Sequence, residues 1–129
     1  MTQENKELLL KDLCARLPYG VKVRYSSTKE FITCNLQSVN PIYNIVDLWS
    51  KKGCFNPVHI SKIKPYLFPL SSITEEQSRI YHELIKGMFG TSALINIEEF
   101  VDWCNKNHFD YRGLIPKGLA LDATGLNIY

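Results

Sequence analysis

The sequence is poor in the features that announce a chemistry. No apolar run approaches the ~18 residues a membrane helix needs, and the nearest, Tyr66 to Leu70, is short and interrupted by Pro69. The opening residues Met1-Thr2-Gln3-Glu4-Asn5-Lys6 lack a basic region followed by an apolar stretch, so no secretory signal is expected and a cytoplasmic protein is. Cys14, Cys34, Cys54 and Cys104 form no CxxC pair, and their gaps of 20, 20 and 50 fit no common zinc spacing. In a reducing compartment they read as small core hydrophobes. HxH and HExxH are absent, which argues against a metal site on His59, His82 and His108. Internal repeats and low-complexity tracts are missing as well.

What is present describes a globular chain. Apolar residues at 45% and charged ones at 22% sit near globular averages, which excludes a disordered chain, a coiled coil and a disulfide-dense miniature. A length of 129 residues suits one domain with one hydrophobic core that needs neither disulfides nor metal. The net charge of +2 is uneven: residues 1–70 carry ten Lys or Arg against five Asp or Glu, and residues 71–129 carry five against eight. A basic front half attracts nucleic acid or an acidic protein, although ordinary surface variation produces differences of this size.

Periodicity divides the chain into elements. Leu9, Leu13 and Leu17, with Leu10 and Cys14 beside them, predict a helix over residues 6–17 whose Lys6, Lys11 and Asp12 face water. Pro18 and Gly20 stop it. Alternation in Val21-Lys22-Val23-Arg24-Tyr25 and in Phe31 to Leu36 predicts two strands joined by a turn over residues 26–29. A third strand is expected from Ile42 to Trp49, a turn at Lys51-Lys52-Gly53, a short fourth strand at Val58-His59-Ile60, and a 3₁₀ turn or short strand at Ile63 to Leu67. These elements suggest a small SH3-like barrel or a curled antiparallel sheet of three to five strands.

A boundary falls at Pro65, Pro69, Ser71 and Ser72, which allows sub-lobes 1–70 and 71–129 within a single domain of residues 1–129. Thr74-Glu75-Glu76-Gln77 is a capping box opening a helix with Ile80, Tyr81, Leu84, Ile85 and Met88 on one stripe, ending in Gly87 or Gly90. Asn96, with Glu99 three positions on and Ile95 and Phe100 as a hydrophobic staple, predicts the start of a second helix that carries Val101, Trp103 and Cys104 and fades near Asn107. The segment from His108 to Tyr129 is too apolar for a free tail and is expected to pack against the body. The fold class is therefore α+β: an N-terminal helix, a small sheet, two helices and a packed tail.

Three segments carry a resemblance. Asp12-Leu13-Cys14-Ala15-Arg16-Leu17-Pro18-Tyr19-Gly20-Val21, then Ile63-Lys64-Pro65-Tyr66-Leu67-Phe68-Pro69-Leu70-Ser71-Ser72 with Thr74-Glu75-Glu76, and His108-Phe109-Asp110-Tyr111-Arg112-Gly113-Leu114-Ile115 are similar to a signature of small uncharacterised proteins of gut Bacteroidales, their prophages and crAss-like phages. That family carries no assigned activity and transfers no catalytic residue. The resemblance implies a bacterial or phage protein on a mobile genome.

Five constellations remain as candidate chemistry. Cys104 and His108, four apart with Asp102 or Asp110 nearby, have the composition of a thiol–base pair, but the helix is expected to end before His108 and no oxyanion motif accompanies them. His59, His82 and His108 lie on separate elements. Gly87-Met88-Phe89-Gly90-Thr91-Ser92 lacks the lysine of a phosphate loop and reads as a helix stop. The basic set Lys22, Arg24, Lys29, Lys51, Lys52, Lys62 and Lys64 would meet Tyr43 or Trp49 on one surface of a curled sheet, the composition of a single-strand nucleic-acid site. Phe109-Asp110-Tyr111-Arg112-Gly113 combines aromatics and arginine as interface hot spots do, and packing onto the body explains it equally.

The leading expectation is a non-enzymatic interaction module of a phage or mobile element, with no cofactor or metal, that binds a host or phage protein through Trp49, Phe109, Tyr111 and Arg112. The alternative is a nucleic-acid-binding module using Lys22, Arg24, Tyr43, Lys51, Lys52, Lys62 and Lys64.

Overall fold

The computed structural model describes residues 1–88 and 93–129. Helix α1, Gln3–Arg16, begins at Thr2, whose hydroxyl accepts the Asn5 N–H at 3.1 Å, and breaks into a 3₁₀ turn at Leu17–Tyr19. Strands β1 (Lys22–Ser26), β2 (Phe31–Asn40), β3 (Ile45–Ser50) and β4 (Gly53–His59) follow as a meander. A 3₁₀ turn at Ile60–Lys62 leads into β5, Ile63–Leu67, which returns to pair antiparallel with β1. Helices α2, Glu75–Met88, and α3, Ala93–Lys106, form a hairpin, and the tail supplies β6, Leu121–Asp122, parallel to β5.

The α+β class and the order of elements match the sequence expectation, but the sheet differs in three respects. It has six strands in the order β4-β3-β2-β1-β5-β6, it is mixed rather than antiparallel, and it is not closed into a barrel. Curling comes from β2, whose ten residues exceed either neighbour, so that its first half pairs with β1 and its second with β3. A register shift between Leu36 and Ser38 bends it, as an extra residue in one strand does. The curl brings the rings of Tyr25 on β1 and Phe55 on β4 to 5.1 Å, so side chains meet where backbone ladders do not.

One face of the sheet is the core. Val21, Val23, Ile32, Cys34, Leu36, Val46, Leu48, Val58, Ile63 and Leu67 point inward, covered by Leu9, Leu10 and Leu13 of α1 and by Leu114, Leu119 and Ala120 of the tail. The tail therefore packs as its composition requires. Boundaries moved where turn chemistry prevailed. Ile42 and Tyr43 are no part of β3 but stand 81% and 70% exposed in the turn before it, where the Asn40 side chain accepts the N–H groups of both. Strand β4 starts five residues before the expected Val58, and Ile60 falls in the 3₁₀ turn.

The capping box at α2 is present in full: Gln77 N–H donates to Thr74 Oγ1 at 3.2 Å and Thr74 N–H to Gln77 Oε1 at 3.0 Å. Helix α3 opens three residues before Asn96, and the proposed staple of Ile95 with Phe100 lies outside the described side chains. Helix α2 runs through Gly87 to Met88, and the rest of the Gly87–Ser92 segment lies outside the described residues.

The clearest correction concerns α1. Asp12, expected in water, is fully buried, as is Arg16 one turn on, while Cys14 is exposed. Arg16 Nε donates to Asp12 Oδ2 at 2.7 Å and a terminal nitrogen donates to the Phe109 carbonyl at 2.6 Å, so both charges enter the interior together. Removing one partner of such a pair strands the other. Arg16→Met is expected to lower unfolding free energy by about 3–5 kcal/mol. Asp12→Leu combined with Arg16→Met costs less than the single change, which urea unfolding of the three proteins would show.

Candidate ligand-binding face

The outward face of β1, β2 and β3 carries side chains that a solvated sheet face does not require. Cross-strand register sets them in rows: Lys22, Asn35, Trp49 and Cys54 in one, and Lys64, Arg24 and Thr33 in the next, with Phe31 opposite Ser26 beyond. Phe31 is 66% exposed and Trp49 45%. Both flank an open groove of about 490 Å³ lined by Lys22, Thr33, Asn35, Lys51 and Lys52 among others, and none of its described lining residues is acidic. Scattered exposed apolar residues are ordinary, but two aromatics on one groove amid lysines are not. Arg24 lies with its guanidinium 4.2 Å above the Phe31 ring. At the rim, Lys52 Nζ meets Glu30 Oε1 at 2.6 Å, an exposed pair of little energetic weight.

Of the expected basic set, the groove gathers Lys22, Lys51 and Lys52, with Arg24 and Lys64 in the adjoining row. Tyr43 is not among them, because it stands in the turn at the far end of the β2–β3 hairpin. Lys62 sits at that end too, in the 3₁₀ turn whose Ile60 N–H bonds the Asn44 carbonyl. Phe31 was missed from sequence, although its parity with Thr33 and Asn35, opposite to Ile32 and Cys34, placed it outward.

Phe109, Tyr111 and Arg112 occupy a different place. Phe109 is 2% exposed and its ring stacks on Trp103 at 5.3 Å, so it is a core residue with no face for a partner. Tyr111, half-buried, lies under two guanidiniums, those of Arg16 at 5.3 Å and Arg112 at 4.9 Å. Arg112 Nε approaches Asp12 Oδ1 at 3.2 Å, and Asp110 accepts the N–H groups of Leu114 and Ile115. Burial raises the Asp12 carboxyl above its ordinary value, with Arg16 and Arg112 pulling it back. Phe68 pairs with this segment, donating to the His108 carbonyl and accepting from the Asp110 N–H, both at 2.8 Å. The three segments that carry the resemblance thus adjoin at one structural knot.

The thiol–histidine pair does not assemble as chemistry. Helix α3 ends at Lys106 and His108 is left-handed at φ 62°, so the four-residue spacing no longer places the two groups on one helix face. Burial pushes the Cys104 thiol up to about 11, which leaves it protonated, and pulls His108 down to about 4, helped by Arg16. A thiol without thiolate is a poor nucleophile. Among the described residues no three His, Cys, Asp or Glu side chains could hold a metal ion, and no helix is long and apolar enough to cross a membrane.

No family model, no curated protein and no solved structure matches this chain. The groove and the knot therefore have to be read from their own chemistry.

The His108 ring stacks on Tyr129 at 3.7 Å between centroids. The Tyr129 hydroxyl accepts the Lys22 N–H at 2.8 Å and donates to the Tyr66 carbonyl at 2.7 Å, which completes the end of the β1–β5 seam. A histidine whose folded pKa lies below its unfolded value binds its proton preferentially when unfolded. Its stabilising contribution is complete above about 6.5 and is lost as pH falls toward 4. Because the ring is only partly buried, the loss should amount to about 1–2 kcal/mol rather than the full shift. His108→Asn keeps a residue tolerant of the left-handed backbone. Its unfolding free energy should fall less steeply over this window than that of the wild type. Parallel slopes for the two proteins would rule out His108 as the source of acid sensitivity.

Proposed function

We propose that this protein is a cytoplasmic binding module of a bacterial mobile element or phage, with no catalytic centre of its own, and that the groove on β1–β3 holds single-stranded nucleic acid. The observation that carries this reading is the pairing of exposed Phe31 and Trp49 on one groove rimmed by Lys22, Lys51 and Lys52. Single-strand binders combine a cationic track for the backbone with aromatic platforms for bases, and each stacked base contributes about 1–3 kcal/mol. Trp49 serves as a base platform, and the lysines hold phosphates as point charges. We read the meander, with its 3₁₀ turn before β5, as an opened SH3-like sheet whose outward face is released for binding.

A protein partner bound through Trp49, Phe109, Tyr111 and Arg112 is the rival. It is weakened because only Trp49 of the four lies open, while the others are engaged in the interior knot. Trp49 and its lysines would suit an acidic protein surface, so the two readings share a groove but differ in what competes for it.

Fluorescence anisotropy with a labelled 12-nucleotide single strand tests the proposal. Binding should weaken linearly in log–log form with salt, with a slope of about −0.7 for each phosphate contact. Trp49→Ala should reduce affinity roughly ten-fold or more through lost stacking while leaving that slope unchanged. Duplex of the same sequence should bind less well, since its bases are not free to stack. Absence of binding at low salt, or binding indifferent to salt, would remove nucleic acid as the ligand and return the groove to an acidic protein partner.

A further inference from the structure

Arg24 and Lys64 face each other directly across the β1–β5 seam. Like charges at such a position are a few ångströms apart at their Cβ atoms and repel. Among the described residues neither side chain has an acidic partner within ion-pair distance, whereas Lys52 in the same surface does. Arg24 has a second peculiarity. Its guanidinium lies 4.2 Å over the Phe31 ring, which fixes the plane of the fork, yet its Nε is shielded from solvent and has no hydrogen-bond acceptor. Arg16 Nη1 and Arg112 Nε are likewise unpartnered inside the knot, but their charges face Asp12. What sets Arg24 apart is a cation held on a ring, with a lysine opposite and no carboxylate within ion-pair distance among the described residues. Two uncompensated cations side by side, one of them stacked in place on an aromatic ring, form a receptor for a phosphate oxyanion.

We propose that Arg24 and Lys64 form a phosphate subsite, one row beyond the Trp49 groove, that anchors the backbone of the strand bound there. This deepens the nucleic-acid reading and rests on it for the source of the phosphate. Arg24 supplies planar donors to two phosphate oxygens and Lys64 a point charge beside them. Thr33, next along the row, presents its side chain on the same face. Phe31 acts as the seat of Arg24 on one ring face, so its role is positional before it is a platform for any base. Arg24 lies one row from Trp49, about 7 Å along the strands, and two strands across at about 4.8 Å each, a span of a few nucleotides of extended single strand.

The test follows the Arg24 Nε–H signal by nitrogen-15 NMR in the intact protein while a 12-nucleotide single strand, and separately inorganic pyrophosphate, are added. Oligonucleotide anisotropy of Arg24→Gln, Arg24→Lys, Lys64→Gln and Phe31→Leu accompanies it. A saturable shift of that signal with the oligonucleotide is expected. So is a loss of about ten-fold in affinity for Arg24→Gln, with the salt slope smaller by about 0.7. Arg24→Lys should lose several-fold although it keeps the charge, because lysine lacks the planar fork. Phe31→Leu should do likewise, with an unchanged salt slope. A shift with pyrophosphate but none with the strand would keep the subsite, assign it to a small phosphate ligand and defeat the nucleic-acid reading. If Trp49→Ala weakens strand binding while Arg24→Gln and Lys64→Gln alter neither affinity nor slope, the subsite is overturned and the groove stands. Failure of both ligands to move the Nε–H signal overturns the subsite as well.

Discussion

The Arg16 guanidinium is the interaction on which the rest of this structure depends. It is fully buried, joined to Asp12 one helical turn earlier and to the Phe109 carbonyl 93 residues later, and it roofs the Tyr111 ring. A buried arginine is tolerable only when its charge and its donors are both answered, because desolvation otherwise outweighs the Coulomb gain. Here the answering groups come from two ends of the chain, so the tail segment has to lie against α1 for either to be buried. That placement carries Phe109 onto Phe68 and Trp103, and with them the end of β5 and the foot of the α2–α3 hairpin. A residue that looks like a surface arginine on an amphipathic helix is the tie between helix, sheet and tail.

With the inner face committed in this way, the outer face of the sheet is free to vary. Strand β2 makes the difference. Its length lets it serve two neighbours, and Phe31 at one end and the Trp49 row at Asn35 border one groove on the outward face. The outward face thus gathers Phe31, Trp49, Lys22, Lys51 and Lys52 around one groove.

Local chemistry was legible in the sequence and remote chemistry was not. Thr74 and Gln77 satisfy each other within four residues, so the start of α2 could be read directly, and the alternation of Val21 to Tyr25 placed Lys22 and Arg24 outward. The burial of Asp12 could not be read, because its partners include Arg112 and its exclusion from water depends on the distant tail. Cys14 and Asp12 sit on adjacent faces of α1, and hydrophobicity alone chose the wrong one. The tail was legible as packed but not in its route. Its last step is a single hydroxyl, that of Tyr129, inserted between Lys22 and Tyr66. Of the candidate site, charge pattern revealed the lysines, whereas Phe31 was hidden because an apolar residue at a strand start is ordinarily core.

Two arginines show why composition undetermined the site. Arg16 and Arg24 each lie over an aromatic ring, Tyr111 and Phe31, and each belongs to a stretch with recognisable periodicity. Arg16 has a carboxylate and a carbonyl within hydrogen-bond distance, so its Nε and one terminal nitrogen are engaged inside the molecule and its charge is paired. Arg24 has a lysine opposite and no carboxylate within ion-pair distance among the described residues, so its charge on the outer face is unpaired. The same cation–π contact that helps to bury one positions the other. What separates a structural arginine from a binding one is therefore the inventory of its acceptors, and that inventory exists only once the chain has folded.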